Sequence, residues 1–167
     1  MNGVPLHPMI VHFPMVLVLL LPMFALGALW AIRRGVRPRP AWALPLLLSG
    51  ALAVSAFVAL RTGEAEEDRV ERVVPESAIH EHEEAAERFL VLSGVLLLVV
   101  AAGMIGGTLG RAARLAGTAG AFALVIAGVQ VGKAGGELVY VHGAGQAYAA
   151  GGTTEQDAGD REHGDDD

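Results

Sequence analysis

The chain has 167 residues, of which 53% are hydrophobic and 18% are charged, and it contains no cysteine. A mean hydropathy of +0.46 excludes a disordered chain and is not typical of a water-soluble domain. The lack of cysteine excludes disulfides, iron–sulfur ligation and covalent c-type haem, and the net charge of -6 argues against a nucleic-acid partner.

Four long apolar segments predict four membrane-spanning helices. They cover residues 13–32, 40–60, 89–110 and 115–134, and the last is free of charge up to Gly132. Helices of about 20 residues cross the ~30 Å hydrocarbon core. The sequence therefore predicts an all-α fold, an integral-membrane four-helix bundle. The first segment is expected to be retained, because no basic residue precedes it and no signal-peptidase site follows it.

The charges between the segments predict the topology. The connection after the first span carries four arginines, and the turn expected between the third and fourth spans carries Arg111 and Arg114. All eighteen acidic residues lie in the two other regions, 61–88 and 133–167. The positive-inside rule then places the arginine connections in the cytoplasm and both chain termini outside. We expect a multi-pass protein of the bacterial cytoplasmic membrane.

The acidic regions between and after the spans have their own patterns. Residues 64–74 space valines along one edge, which indicates a short helix at the membrane interface. Pro75 is typical of a helix start, so the third helix is expected to extend beyond the membrane before Phe89. Residues 147–167 are rich in Gly, Ala and acids, and they are predicted to form a disordered tail after a membrane domain of residues 1–146.

All six histidines map to the predicted outer side: His7, His12, His80, His82, His142 and His163. Imidazole binds transition metals and haem iron, and a bundle brings helix ends to one rim. We therefore treat all but His163 as candidate cofactor ligands, and His12, His82 and His142 as the candidate ligands of a metal ion. No spacing among them is a specific ligand motif, so purely structural roles at the helix ends stay open.

Two motifs resemble those of a known family. The segments LHPMIVHFP at 6–14 and GGELVYVHG at 135–143 are similar to the two signatures of the domain of unknown function twenty-two thirty-one, a family of predicted bacterial membrane proteins. The four spans and a histidine at the start of the third helix also resemble it, over residues 5–146. The resemblance singles out these positions: His7, Pro8, His12, Pro14, His82, Gly135, Gly136, Glu137, Tyr140 and His142. It also implies a redox context, because some relatives are joined to cytochrome-like domains.

Two functions of different classes are consistent with these patterns. The first is a redox-associated membrane protein whose outer histidines bind haem b or a transition metal such as copper. The alternative is a non-enzymatic structural or assembly subunit whose rim docks onto a larger membrane complex. The candidate protein partners are a membrane redox complex and a second copy of the chain. The lipid bilayer is a partner in both. A transporter is disfavoured, since the spans contain no acid, and no catalytic motif indicates an enzyme.

Overall fold

The computed structural model describes residues 6–149, and it contains seven helices and no strand in that range. The four long helices are α2 (His12–Arg33), α3 (Pro38–Glu64), α5 (Glu76–Ala102) and α6 (Gly107–Tyr140). The three short ones are α1 (Leu6–Ile10), α4 (Glu67–Val70) and α7 (Gln146–Ala149). The prediction of an all-α fold is confirmed.

The long helices have the length and composition needed to cross a membrane. The candidate spans are Leu6–Arg33, which joins α1 to α2, then Pro38–Glu64, Glu76–Ala102 and Gly107–Tyr140. A helix of 27 residues is about 40 Å long, which exceeds the ~30 Å hydrocarbon core. The prediction of four long apolar helices is confirmed, and each is a candidate span by length and composition. The start of α5 at Glu76, directly after Pro75 and ahead of the predicted span, also agrees with the prediction.

The four long helices pack in a ring in which α2 contacts α3, α3 contacts α5, α5 contacts α6, and α6 contacts α2. The buried faces consist of small and aliphatic residues, among them Leu21, Ala25, Leu52, Ala56, Leu96, Ala121 and Leu124. The opposite faces are also apolar: Leu47 is 69% exposed, Leu98 is 71% and Ile126 is 65%. A helix that is apolar all round and exposed on one side is suited to contact lipid.

The bundle has an arginine end and an acidic end. The arginine end holds the connections at residues 34–37 and 103–106, and the acidic end holds the connection at 65–75 together with the chain after Tyr140. Every acidic residue from 1 to 149 lies between Glu64 and Glu137, in or beside the segments that form the acidic end. The charge separation read from the sequence is therefore a property of the fold.

The turn between α5 and α6 lies at residues 103–106, so its predicted place at Arg111 and Arg114 was wrong. Both arginines belong to α6. Gly107, with φ +73°, adopts a conformation that glycine reaches without strain. Glycines therefore make this turn. Arg111 and Arg114 are only the first ionisable residues that follow it along the chain.

Close packing holds the arginine end together. Trp42 on α3 is fully buried, and its Nε1–H donates to the carbonyl of Val100 at 2.9 Å. The buried Arg114 donates from its guanidinium to the carbonyl of Gly103. A Cβ at Gly103 would lie 2.3 Å from Trp42 Nε1, so only glycine fits where the indole and the guanidinium approach this turn.

The first spanning segment is interrupted near its beginning. Pro14 is buried inside α2 and has no N–H, so it leaves the carbonyl of Ile10 without its helical donor. The helix divides at Val11 into α1 and α2. Pro14 therefore lies in the first turn of α2, and the free carbonyl of Ile10 accounts for the break at Val11.

A second, smaller core lies at the acidic end, where Val74, Ile79 and Ala144 are buried against one another. The short helix expected in residues 64–74 is present as the four-residue α4, whose Val70 packs on this core. Of the predicted tail 147–167, residues 147–149 belong to α7. The rest of it, with His163, lies outside the described residues.

Candidate functional site

Two imidazole rings from distant parts of the sequence meet at the acidic end of the bundle. His7 lies on α1, and His82 lies near the beginning of α5. Their ring centroids are 6.2 Å apart, and their planes are inclined by 78°, an edge-to-face arrangement. We call these two residues the imidazole pair.

The ring of His7 is oriented by α3. Its Nδ1 lies 2.8 Å from the carbonyl oxygen of Ala59. Because a carbonyl can only accept, Nδ1 carries the hydrogen, and the neutral ring has its lone pair on Nε2. Thr62 Oγ1 donates to the same carbonyl at 2.9 Å. The ring lies over Gly63, where a Cβ would be 3.2 Å from His7 Cε1.

A carboxylate holds the backbone of α1 in place. Glu66 Oε1 accepts hydrogen bonds from the backbone N–H of Leu6 at 2.7 Å and of His7 at 3.3 Å. Its Oε2 accepts from the Tyr148 hydroxyl at 2.6 Å. Burial and the neighbouring Glu66 raise the pKa of Tyr148 to about 12. The guanidinium of Arg69 lies over the Tyr148 ring, 5.5 Å from its centre.

His82 packs against α6 and has an unpartnered nitrogen. A Cβ at Gly135 would lie 3.0 Å from His82 Cε1, so the absence of a side chain there makes room for the ring. His82 Nδ1 is shielded from solvent and makes no hydrogen bond of standard geometry within residues 6–149, although the backbone of Val131 on α6 lies close to the ring. A buried polar atom without a partner is costly, so it calls for a specific explanation.

The other candidate ligands lie apart from this pair. His12 and His80 are exposed. His142 lines a small cleft of about 40 Å³ between α5 and α6, together with Glu81 and Glu137. In the described part of the chain, no group of three or more His, Asp or Glu residues is arranged to hold a metal ion. The structure thus brings together His7 and His82, and it does not bring together the predicted trio of His12, His82 and His142.

The remaining motif positions have mixed surroundings. Pro8 is exposed on α1, Glu137 is exposed on α6, and Tyr140 is 89% exposed at the end of α6. A Cβ at Gly136 would have only Tyr140 Cδ2 within reach, at 4.0 Å. Of the two glycines at 135–136, only the first therefore contacts the imidazole pair.

Several residues that build the site were not anticipated from the sequence: Ala59, Thr62, Gly63, Glu66 and Tyr148. Ala59 contributes only a backbone carbonyl, which leaves no trace in the side-chain pattern. Thr62-Gly63 at the end of α3 was the one available signal, because small residues there allow another segment to approach closely.

Comparison with known proteins supports the membrane assignment. A family model described as a predicted membrane protein, DUF2231, matches residues 3–148. No curated protein and no solved structure showed a significant match to the chain.

Proposed function

The chain belongs to the DUF2231 family of predicted membrane proteins, and we propose that it is a redox-associated membrane protein that binds one transition-metal ion, such as copper, between His7 and His82. One observation supports this proposal above the others. Within residues 6–149, the solvent-shielded Nδ1 of His82 has no hydrogen-bond partner, and it belongs to a ring whose centroid lies 6.2 Å from that of His7. The hydrogen bond to Ala59 leaves His7 with a lone pair on Nε2.

The surroundings of His7 match those of a metal ligand. A ligating histidine usually donates its other N–H to a carbonyl or carboxylate, which fixes the tautomer and the ring orientation. The Ala59 carbonyl has this role for His7. Imidazole nitrogen suits copper, zinc, iron and nickel.

The spacing of the rings is compatible with one ion between them. With metal–nitrogen bonds of about 2 Å, two imidazoles on opposite sides of an ion have ring centres roughly 6 Å apart. The observed centroid distance is 6.2 Å. The helices that hold the two rings therefore already place them at the spacing of two imidazoles bound to one ion.

A single ion suits this pair better than haem b does. The rings already pack edge to face, and each lies close to a glycine of a neighbouring helix, Gly63 on α3 and Gly135 on α6. A porphyrin could enter only if α1 moved away from α5. Of the two cofactors considered, we therefore propose the metal ion, and haem binding remains an outcome that the experiment can detect.

The experiment compares alanine substitutions of the two histidines of the pair with an alanine substitution of a histidine outside it. The protein is purified in detergent from cells supplied with copper and haem, and its metal content and absorption spectrum are measured. We expect bound copper in the wild type and at least roughly tenfold weaker binding in His7→Ala and His82→Ala. The matched control is His80→Ala, since His80 is exposed on the same helix, two residues before His82.

Each result has a defined meaning. Copper lost from both pair variants and kept by the control supports the site, provided that thermal unfolding shows all three proteins to be folded. A colourless, metal-free wild type overturns the proposal, and so does equal loss of copper in the control. A haem Soret band without copper overturns it as well.

We further propose that the imidazole pair faces the outside of a bacterial cytoplasmic membrane. The segregation of arginines and acids to opposite ends of the bundle supports this orientation through the positive-inside rule. Because the chain has no cysteine, single cysteines at the exposed positions Glu71 and Arg37 can report it. A membrane-impermeant maleimide should label E71C in intact spheroplasts and R37C only after permeabilisation. Labelling of both in intact spheroplasts contradicts this orientation, and so does labelling of R37C alone.

The second candidate function is an assembly subunit. It is favoured by the exposed end of α6, where Val139 is 50% exposed, Tyr140 89% and Val141 68%. An exposed tyrosine at a helix end also suits an interfacial anchor, so the two roles must be separated. A stoichiometric partner that co-purifies with the wild type and is lost in Tyr140→Ala supports docking, whereas an unchanged, solitary protein supports anchoring.

A further inference from the structure

A groove runs along the outer surface between α2 and α6, near the arginine end. It encloses about 500 Å³ and is lined by residues that include Leu26, Leu29, Trp30, Leu115, Ala119 and Phe122. Trp30 is 61% exposed, and Phe122 is 50% exposed. The groove is thus apolar and open on the face that meets lipid.

The groove ends beside a cluster of positive charge. Arg33, in the last turn of α2, is part of its lining. Arg34 lies over the ring of Trp30, 5.0 Å from its centre. Arg111 lies one helical turn before the groove residue Leu115 on α6, and residues four apart share a helix face. In the described part of the chain, every acidic residue lies between Glu64 and Glu87 or at Glu137, at the opposite end of the bundle from these arginines.

From this arrangement we propose that the groove binds an anionic phospholipid, with one acyl chain along the groove and the phosphate at Arg33. An acyl chain fits the apolar lining, and a phosphate provides the charge that the arginine end lacks. Basic pockets between membrane helices bind anionic head groups on the same physical grounds. The inference is independent of the imidazole pair, which lies at the opposite end of the bundle.

Tryptophan fluorescence can report which lipid occupies the groove, because the two tryptophans of the chain lie in different surroundings. Trp30 lines it, whereas Trp42 is fully buried in the core. The full-length protein is reconstituted in bilayers of equal parts phosphatidylglycerol and phosphatidylcholine, in which only one of the two lipids carries brominated acyl chains. Bromine quenches tryptophan on contact, so the two samples compare how often each lipid occupies the groove. The Trp30→Phe protein gives the signal that Trp42 contributes.

We expect quenching of Trp30 to report a preference of about fivefold for the anionic lipid, the ratio that one arginine contributes near an anionic surface. Arg33→Gln should abolish this preference. Arg61→Gln should retain it, because Arg61 also ends a helix but lies at the acidic end, paired with Glu64. Phenylalanine at Ala119 should fill the groove and reduce the preference, whereas phenylalanine at Ala116, exposed on the same helix outside the groove, should not.

Equal quenching by the two brominated lipids in the wild type overturns the proposal. A preference that survives both Arg33→Gln and Ala119→Phe overturns it as well. Loss in Arg33→Gln with full retention in Ala119→Phe indicates a head-group contact with no acyl chain in the groove, which is also contrary to the proposal.

Discussion

Glu66 and Tyr148, 82 residues apart, are joined by a hydrogen bond of 2.6 Å from the phenol to Oε2. The other carboxylate oxygen accepts the backbone N–H groups of Leu6 and His7. One side chain on the connection after α3 therefore fixes both the first and the last described helix. Since His7 belongs to the segment it holds, the position of the imidazole pair depends on Glu66.

The first prediction is that Glu66→Ala releases α1 without unfolding the bundle. The substitution removes charge-assisted hydrogen bonds at a half-buried position. We expect it to lower the free energy that holds α1 against the bundle by about 1–2 kcal/mol. Hydrogen exchange at the amides of Leu6 and His7 should accelerate, and metal binding by the pair should weaken. Asp68→Ala is the control, since Asp68 is exposed on the same connection. Equal exchange in the two variants contradicts the prediction.

The second prediction concerns high pH. The pKa of Tyr148 is raised to about 12, first by burial and then by Glu66, whereas a free tyrosine ionises near pH 10. The raised pKa means that the folded contact favours the neutral phenol, so its contribution is complete below pH ~10 and is lost as the pH rises to about 12. The contact of α7 with Glu66 should open in that window.

Absorbance of tyrosinate at 295 nm measures this titration. The transition near pH 12 should be absent from Tyr148→Phe and present in Tyr140→Phe. Glu66→Gln should move it to lower pH, because the variant removes the negative charge beside the phenol. A high-pH transition that persists in Tyr148→Phe assigns it to another group and contradicts the prediction.

The sequence predicted the helices well because lipid imposes a simple constraint on them. A segment of about 20 residues without charge has few alternatives to a spanning helix, and each predicted span has its counterpart in a long helix. The turn after Ala102 was misplaced because charge marks where a helix leaves the membrane, while Gly103 and Gly107 decide where the chain reverses. Glycines recur throughout α6, so composition did not single these out.

The imidazole pair could be predicted only in part. The location of the histidines at the acidic end of the bundle follows from the charge pattern, but which rings face each other depends on helix rotation and on the short α1. His12 and His82 were grouped because both begin a long helix, yet it is His7 that turns back onto α3 through Ala59. The contact between Glu66 and Tyr148 was missed because an acidic, glycine-rich stretch after residue 146 gave no periodic signal.

The third prediction tests the packing at the arginine end. In Gly103→Ala the new methyl group would lie 2.3 Å from Trp42 Nε1 and 2.9 Å from the carbonyl of Val100. It would disrupt the hydrogen bond between these two groups, and overpacking of this kind costs about 1–3 kcal/mol. Gly106→Ala is the matched control in the same turn, because no atom lies within 4 Å of its Cβ position. Denaturant unfolding in detergent should show a lower free energy of unfolding for Gly103→Ala only. Equal stability of the two variants would contradict the close contact between Gly103 and Trp42.

The last prediction uses the adjacent glycines of the second motif. A methyl group in Gly135→Ala would lie 3.0 Å from His82 Cε1, while in Gly136→Ala the nearest side-chain atom is 4.0 Å away, on Tyr140. The first variant should push the His82 ring from α6 and weaken metal binding, with little loss of helix stability because alanine is the better helix former. The second should bind metal as the wild type does. Metal titration with thermal unfolding separates the two effects. Equal metal binding by both variants contradicts the prediction that the ring contact at Gly135 controls the site.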